Sequence, residues 1–122
     1  MYNVIVADDE KNIREGIVEL IEWEKLGCKV CASMQNGAQV LKYLEEEKIH
    51  VDIIITDIKM PIMDGMELIG MLNERFPDIK VIILTAYSDF TYAQQAIKFQ
   101  VSDFVVKNDF FLELPRDRKS VV

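Results

Sequence analysis

The chain has 122 residues, half of them hydrophobic, with 21 acidic against 14 basic side chains and a formal net charge of −7. That length suits one domain with its own core, and the composition excludes a disordered chain. No apolar run nears the ~20 residues that cross a bilayer, and so acidic a surface repels nucleic acid, which argues against direct DNA binding and against a membrane protein.

Strands and helices alternate along the chain. Tyr2–Ala7 reads as a strand that starts almost at once, with no basic or signal-like leader, and this points to the cytoplasm. It runs into Asp8, Asp9 and Glu10. Ile13, Ile17, Leu20 and Ile21 then recur at helical spacing, and the helix is expected to fade between Trp23 and Gly27. Lys29–Ser33 is a second strand, and Asn36-Gly37 marks a turn. Val40, Leu41 and Leu44 share one face of a second helix, with Glu45–Glu47 as its solvated end. Ile53–Thr56 is a third strand. Met66, Ile69 and Leu72 stripe a third helix, which stops by Phe76-Pro77. Lys80–Thr85 is a fourth strand. Phe90, Ala93, Ala96 and Ile97 make the inner face of a fourth helix, and Asp103–Val106 is a short fifth strand ending at Lys107.

Repeated β-α units with crossover helices imply an α/β fold, a doubly wound five-stranded parallel sheet with helices on both faces. At this size the order expected is flavodoxin-like, 2-1-3-4-5. Only 15 residues follow Lys107. Phe110, Phe111, Leu112 and Leu114 begin an apolar pattern that Pro115 interrupts, so a fifth helix is expected to be short or missing. The domain is placed at residues 1–114, and residues 115–122 are expected to be a truncation or an appended tail.

Cys28 and Cys31 have C-x-x-C spacing. Within a strand, however, residues three apart face opposite sides, there is no second cysteine pair, and His50 is the sole histidine. Two reduced cysteines in a packed domain is the better reading.

The centre of the chain is Ile53–Gly65. A continuous apolar run, of the kind buried on both faces of a parallel sheet, leads to Asp57, and ligands gather where such strands end. Pro61 forbids helix and biases Met60 towards extended backbone. Asp64, Gly65 and Glu67 read as a helix start with an N-cap and a carboxylate three residues on. In the order 2-1-3-4-5 the first and third strands are neighbours, so Asp8, Asp9 and Asp57 converge. Three close carboxylates repel one another unless a cation joins them, and hard oxygen donors with water suit Mg²⁺. Thr85 and Lys107 end the fourth and fifth strands at the same rim. Each residue alone has a plainer reading: Asp8-Asp9-Glu10 as helix-capping acids, Thr85 as a strand end, Lys107 as a surface lysine. It is their joint placement at one end of successive strands that favours a site.

Val6-Ala7-Asp8-Asp9-Glu10, Thr56-Asp57-Ile58-Lys59-Met60-Pro61-Ile62-Met63-Asp64-Gly65, Leu84-Thr85-Ala86 and Asp103-Phe104-Val105-Val106-Lys107 together resemble the receiver domain of two-component response regulators, a CheY-like fold. Ile21-Glu22-Trp23, Asn36-Gly37 and Ala86-Tyr87-Ser88-Asp89-Phe90 resemble the subgroup fused to AraC-type helix-turn-helix DNA-binding domains. The resemblance implies that Asp57 is the phosphoacceptor for a sensor histidine kinase. It implies Mg²⁺ held by Asp9, Asp57 and the backbone carbonyl of Lys59, with Asp8 acting through water. Thr85 and Lys107 would bind phosphoryl oxygens. Thr85 and Phe104 would form a switch that repacks the face of helix four and strand five, to control a C-terminal, DNA-binding output domain, with homodimerisation on phosphorylation. The chain would then catalyse only its own phosphorylation and dephosphorylation. Such transfer needs in-line positioning and charge neutralisation more than elaborate acid–base chemistry.

Two residues depart from the family pattern. Asn108 stands where proline usually follows the lysine. A cis bond before a non-proline residue costs about 2.5–4 kcal/mol, so Lys107–Asn108 is expected to be trans. Gln100 stands where glycine commonly ends helix four. Other functions fit less well. A haloacid-dehalogenase-type phosphatase needs a second acid where Lys59 stands. A flavodoxin needs a phosphate loop where Asp8-Asp9-Glu10 would repel phosphate. A degenerate receiver used only for docking is favoured by the altered loop after Lys107 and opposed by the intact acids.

Overall fold

The computed structural model describes residues 1–47, 49–85 and 103–106, with the backbone alone at 85 and 103–106. Its elements in order are β1 (Tyr2–Ala7), α1 (Lys11–Leu20), a 3-10 turn (Trp23–Leu26), β2 (Cys28–Met34), α2 (Gly37–Glu46), β3 (Ile53–Asp57), α3 (Gly65–Arg75), β4 (Lys80–Thr85) and β5 (Asp103–Val106). All strand pairs are parallel, and the sheet order is β2-β1-β3-β4-β5, as the alternation predicts. The expected fourth helix, the Lys107–Asn108 bond, Gln100 and the 115–122 tail lie outside the described residues.

Alternate strand residues feed two cores. Val4, Val6, Ile55 and Leu84 pack with Ile17 and Ile21 on the α1 side. Ile5, Ala7, Ile54, Val81 and Ile83 pack with Val40, Leu41, Leu68, Ile69 and Leu72 on the side of α2 and α3. The strands are therefore covered on both faces, which is why β1, β3 and β4 read as unbroken apolar runs.

The first helix differs from the expected stripe. It stops at Leu20, which is 64 % exposed. Ile21 leaves the helix in extended backbone and takes the buried place instead. The Trp23 indole N–H donates to the Ile17 carbonyl at 3.3 Å, so the aromatic ring covers the frayed last turn. The turn from Trp23 then ends in Gly27 at φ 73°, a left-handed position that suits glycine.

Asn36-Gly37 is not a free turn but the start of α2. The Asn36 side chain accepts from the Gln39 N–H at 2.9 Å. Asp64 caps α3 in the same way, accepting from the Glu67 N–H at 2.9 Å.

The cysteines do face opposite sides. Cys28 lies in the α1-side core and Cys31 packs on the other. β2 also carries an irregularity at this point. Val30 pairs with Val4 but Ala32 with Ile5, so Cys31 is the extra residue. Both thiols are free. Burial, then the charge of Asp52, pushes the Cys28 thiol up from its ordinary value. Among the described residues no helix is long and apolar enough to cross a membrane.

Candidate functional site

Register builds the site. Ala7 is paired with Thr56, so the next residues, Asp8 and Asp57, emerge side by side at the carboxyl ends of β1 and β3. Leu84 is paired with Asp57, which puts the Thr85 backbone one residue further along the same rim. Thr85 is in turn paired with Val106, the residue before Lys107. The side chains of Thr85 and Phe104, and Lys107 altogether, lie outside the described residues.

Four carboxylates meet here. Asp8, Asp9, Glu10 and Asp57 each place an oxygen within 4.8 Å of the others'. Asp8 is fully buried and Asp57 is 3 % exposed, whereas Asp9 and Glu10 face solvent. Local bonds hold the acids in place. One Asp8 oxygen accepts from the Glu10 N–H at 2.9 Å, and the Asp8 carbonyl accepts from Arg14 Nη1 at 2.7 Å. The Asp8 N–H donates to the Met34 carbonyl at 3.0 Å. Asp57 Oδ1 accepts from the Ile58 N–H at 2.8 Å. Thr56, fully buried, donates its hydroxyl to the Asp57 carbonyl at 2.9 Å.

In the sequence, Glu10 reads as a helix-capping acid rather than as a member of the cluster. It occupies the N-cap position of α1 but makes no capping bond with its side chain, and its carboxylate joins the acid group instead. The unbroken acidic run Asp8-Asp9-Glu10 was the available signal.

The loop after β3 forms the opposite wall. Asp9, Ile58, Lys59, Met60, Pro61, Asp64 and Met66 line a cleft of about 680 Å³. The Gly65 N–H donates to the Ile58 carbonyl at 2.6 Å, folding α3 back onto the end of β3. The donor chemistry fits a hard divalent cation: four carboxylates, no sulfur or imidazole, two of the acids withdrawn from water. Without a cation, four anions at this spacing repel one another.

The acid cluster thus lies at the carboxyl ends of the strands of an open parallel sheet, where ligands of such sheets gather. The family profile of the response regulator receiver domain matches residues 4–113, and the chain belongs to that family. It is 38 % identical over 107 residues to YesN of Bacillus subtilis, described as an uncharacterized transcriptional regulatory protein; the alignment covers 88 % of this chain and 28 % of YesN. It is 32 % identical over 107 residues to the transcriptional regulatory protein HptR of Staphylococcus aureus, covering 88 % of this chain and 41 % of HptR. The chain thus spans less than half the length of these curated relatives. Among solved structures, the receiver domain of AraT, a response regulator from Geobacillus stearothermophilus, superposes with a TM-score of 0.80 at 34 % identity, covering 98 % of this chain and 95 % of that one. The non-phosphorylated receiver domain of the stress response regulator RcsB from Escherichia coli gives 0.77 at 26 %, covering 98 % and 92 %.

Proposed function

We propose that Asp57 is the phosphoacceptor of this receiver domain and takes its phosphoryl group from a histidine kinase. The observation that carries this reading is the buried Asp57 carboxylate within 4.8 Å of three other acids at one strand-end rim. An Asp57 oxygen attacks phosphorus, the new O–P bond forms as the N–P bond breaks, and that electron pair returns to the imidazole of the donor. Asp9, Asp57 and the Lys59 carbonyl would hold Mg²⁺, with Asp8 reaching it through water and Glu10 adding charge beside it. Mg²⁺ there supplies the positive charge that lets an anionic phosphoryl group approach an anionic nucleophile. Asp8 and Asp9 keep the rim acidic; Thr85 and Lys107 bind the phosphoryl oxygens.

The readout is local. Phosphorylation adds roughly −1.5 to −2 charges. Thr85 is drawn towards them, Phe104 turns into the space left, and the face of helix four and strand five repacks. That face then controls a transcriptional output domain beyond this chain, in the cytoplasm, with homodimerisation as its consequence. The chain acts catalytically on itself alone.

Acetyl phosphate with Mg²⁺ tests this by intact mass. One added phosphoryl group is expected on the wild type and none on Asp57→Asn. Identical masses for the two would leave a phosphorylation-independent docking module as the reading.

A further inference from the structure

The Asn36-Gly37 pair does more than begin α2. The Gly37 N–H donates to the Met63 carbonyl at 2.9 Å, across to the loop that follows the acceptor strand. Met63 closes a three-residue turn there: its own N–H donates to the Pro61 carbonyl at 2.7 Å, and Ile62 between them has φ 69°. This is the rare, strained hand of γ-turn, and it is occupied by a β-branched residue. Such backbone persists only where its surroundings over-determine it. The same loop carries Lys59, and its first residues line the cleft together with Asp9.

Gly37 is required for room rather than for backbone freedom, because among the described glycines only Gly27 has positive φ. A Cβ at position 37 would lie 2.9 Å from Met63 Cγ, 3.0 Å from the Met63 carbonyl oxygen and 3.1 Å from Leu68 Cβ. The last two belong to main chain and to the root of a fully buried side chain, so neither can swing aside. Any side chain here pushes the turn away from α2.

We propose that Gly37 is a positioning residue for phosphoryl transfer: its amide and its lack of a side chain lock the Pro61–Met63 turn, and through that turn hold the main chain at Lys59 against the acid cluster. This rests on the reading of the site given above. A purely structural glycine would affect stability alone, whereas a positioning one also sets the affinity of the folded protein for Mg²⁺.

Calorimetric titration of the purified chain with Mg²⁺ separates the two. Gly37→Ala is expected to bind Mg²⁺ about tenfold more weakly, as loss of support behind a metal ligand does. Gly70→Ala, where an added Cβ meets nothing within 4 Å, is expected to bind like wild type. A folded Gly37→Ala chain with the wild-type dissociation constant overturns the proposal. If that variant does not fold, amide exchange on the wild type decides. Mg²⁺ should slow exchange at Gly37 and Met63 but not at Gly27, whose N–H bonds Glu24 at the far end of the sheet. An unchanged rate at Gly37 overturns the proposal equally. A wild type that takes up no Mg²⁺ overturns the functional reading itself, whereas uptake with no effect of Gly37→Ala removes only this inference.

Discussion

Gly65 stands where no side chain fits. A Cβ there would overlap the Asp57 carbonyl oxygen and approach Ile58 Cα at 2.8 Å. Gly65→Ala should therefore cost about 2–3 kcal/mol, the upper range for overpacking, seen as a lowered urea midpoint with little change in slope. Ile62 presents the opposite case. It is 83 % exposed, so it has little packing to lose, and its φ of 69° costs an L-residue about 1–2 kcal/mol. Ile62→Gly should gain about 0.5–1 kcal/mol net, after the extra entropy glycine loses on folding, and thermal melting would register it. Cys28 sets an alkaline limit. Its thiol is raised in the fold, so as pH climbs past the ordinary value of 9.0 the unfolded chain gives up its proton first. The thiol's contribution is whole below about pH 9 and is lost as pH rises through the higher folded value. Unfolding titrations between pH 8 and 10 should show stability falling, with a shallower fall in Cys28→Ala. Asp8, Asp9 and Asp57 were legible as letters because their chemistry is written in side chains. Ile62 and Gly37 were not, because a positive φ and a missing Cβ acquire meaning only from what lies across the gap.

At the scale of elements, strands were the easiest to read. Continuous apolar runs of β-branched residues leave little choice when both faces are covered, and β1, β3 and β4 fell within a residue of expectation. The start of α3 was equally plain, since Asp64 and Glu67 stand at capping distance. Asp64→Ala should cost about 1 kcal/mol, measurable by chemical denaturation. The end of α1 was less legible. Leu20 continues the helical stripe in the sequence, yet the helix is cut short and Trp23 closes it from outside, a tertiary contact that periodicity does not encode. The Glu45–Arg75 pair at 2.6 Å ties α2 to α3, but both side chains are about half exposed. It should contribute well under 1 kcal/mol, and less in high salt.

The whole molecule combines a strongly apolar sheet with one acidic rim, and the rim should make its stability depend on cations. Anything that binds the folded state alone stabilises it by RT ln(1 + [L]/Kd), about 1.4 kcal/mol at ten times Kd. Mg²⁺ should therefore raise the melting temperature by several degrees, EDTA should reverse this, and Asp9→Asn should abolish most of it. The convergence of the acids was foreseeable because five alternating β-α units of this size suggest the flavodoxin-like strand order, which makes β1 and β3 neighbours, and the register places Asp8 beside Asp57. The fourth acid was hidden because Glu10 had an ordinary duty available at the head of a helix.

β2 is one of the two edge strands of the sheet, and its outward backbone would otherwise be an open template for a stranger's strand. The extra residue at Cys31 bends that margin and spoils its regular spacing. A newcomer could match this edge for only two or three residues before falling out of step, so this margin resists the fibrous stacking that a flat strand would invite.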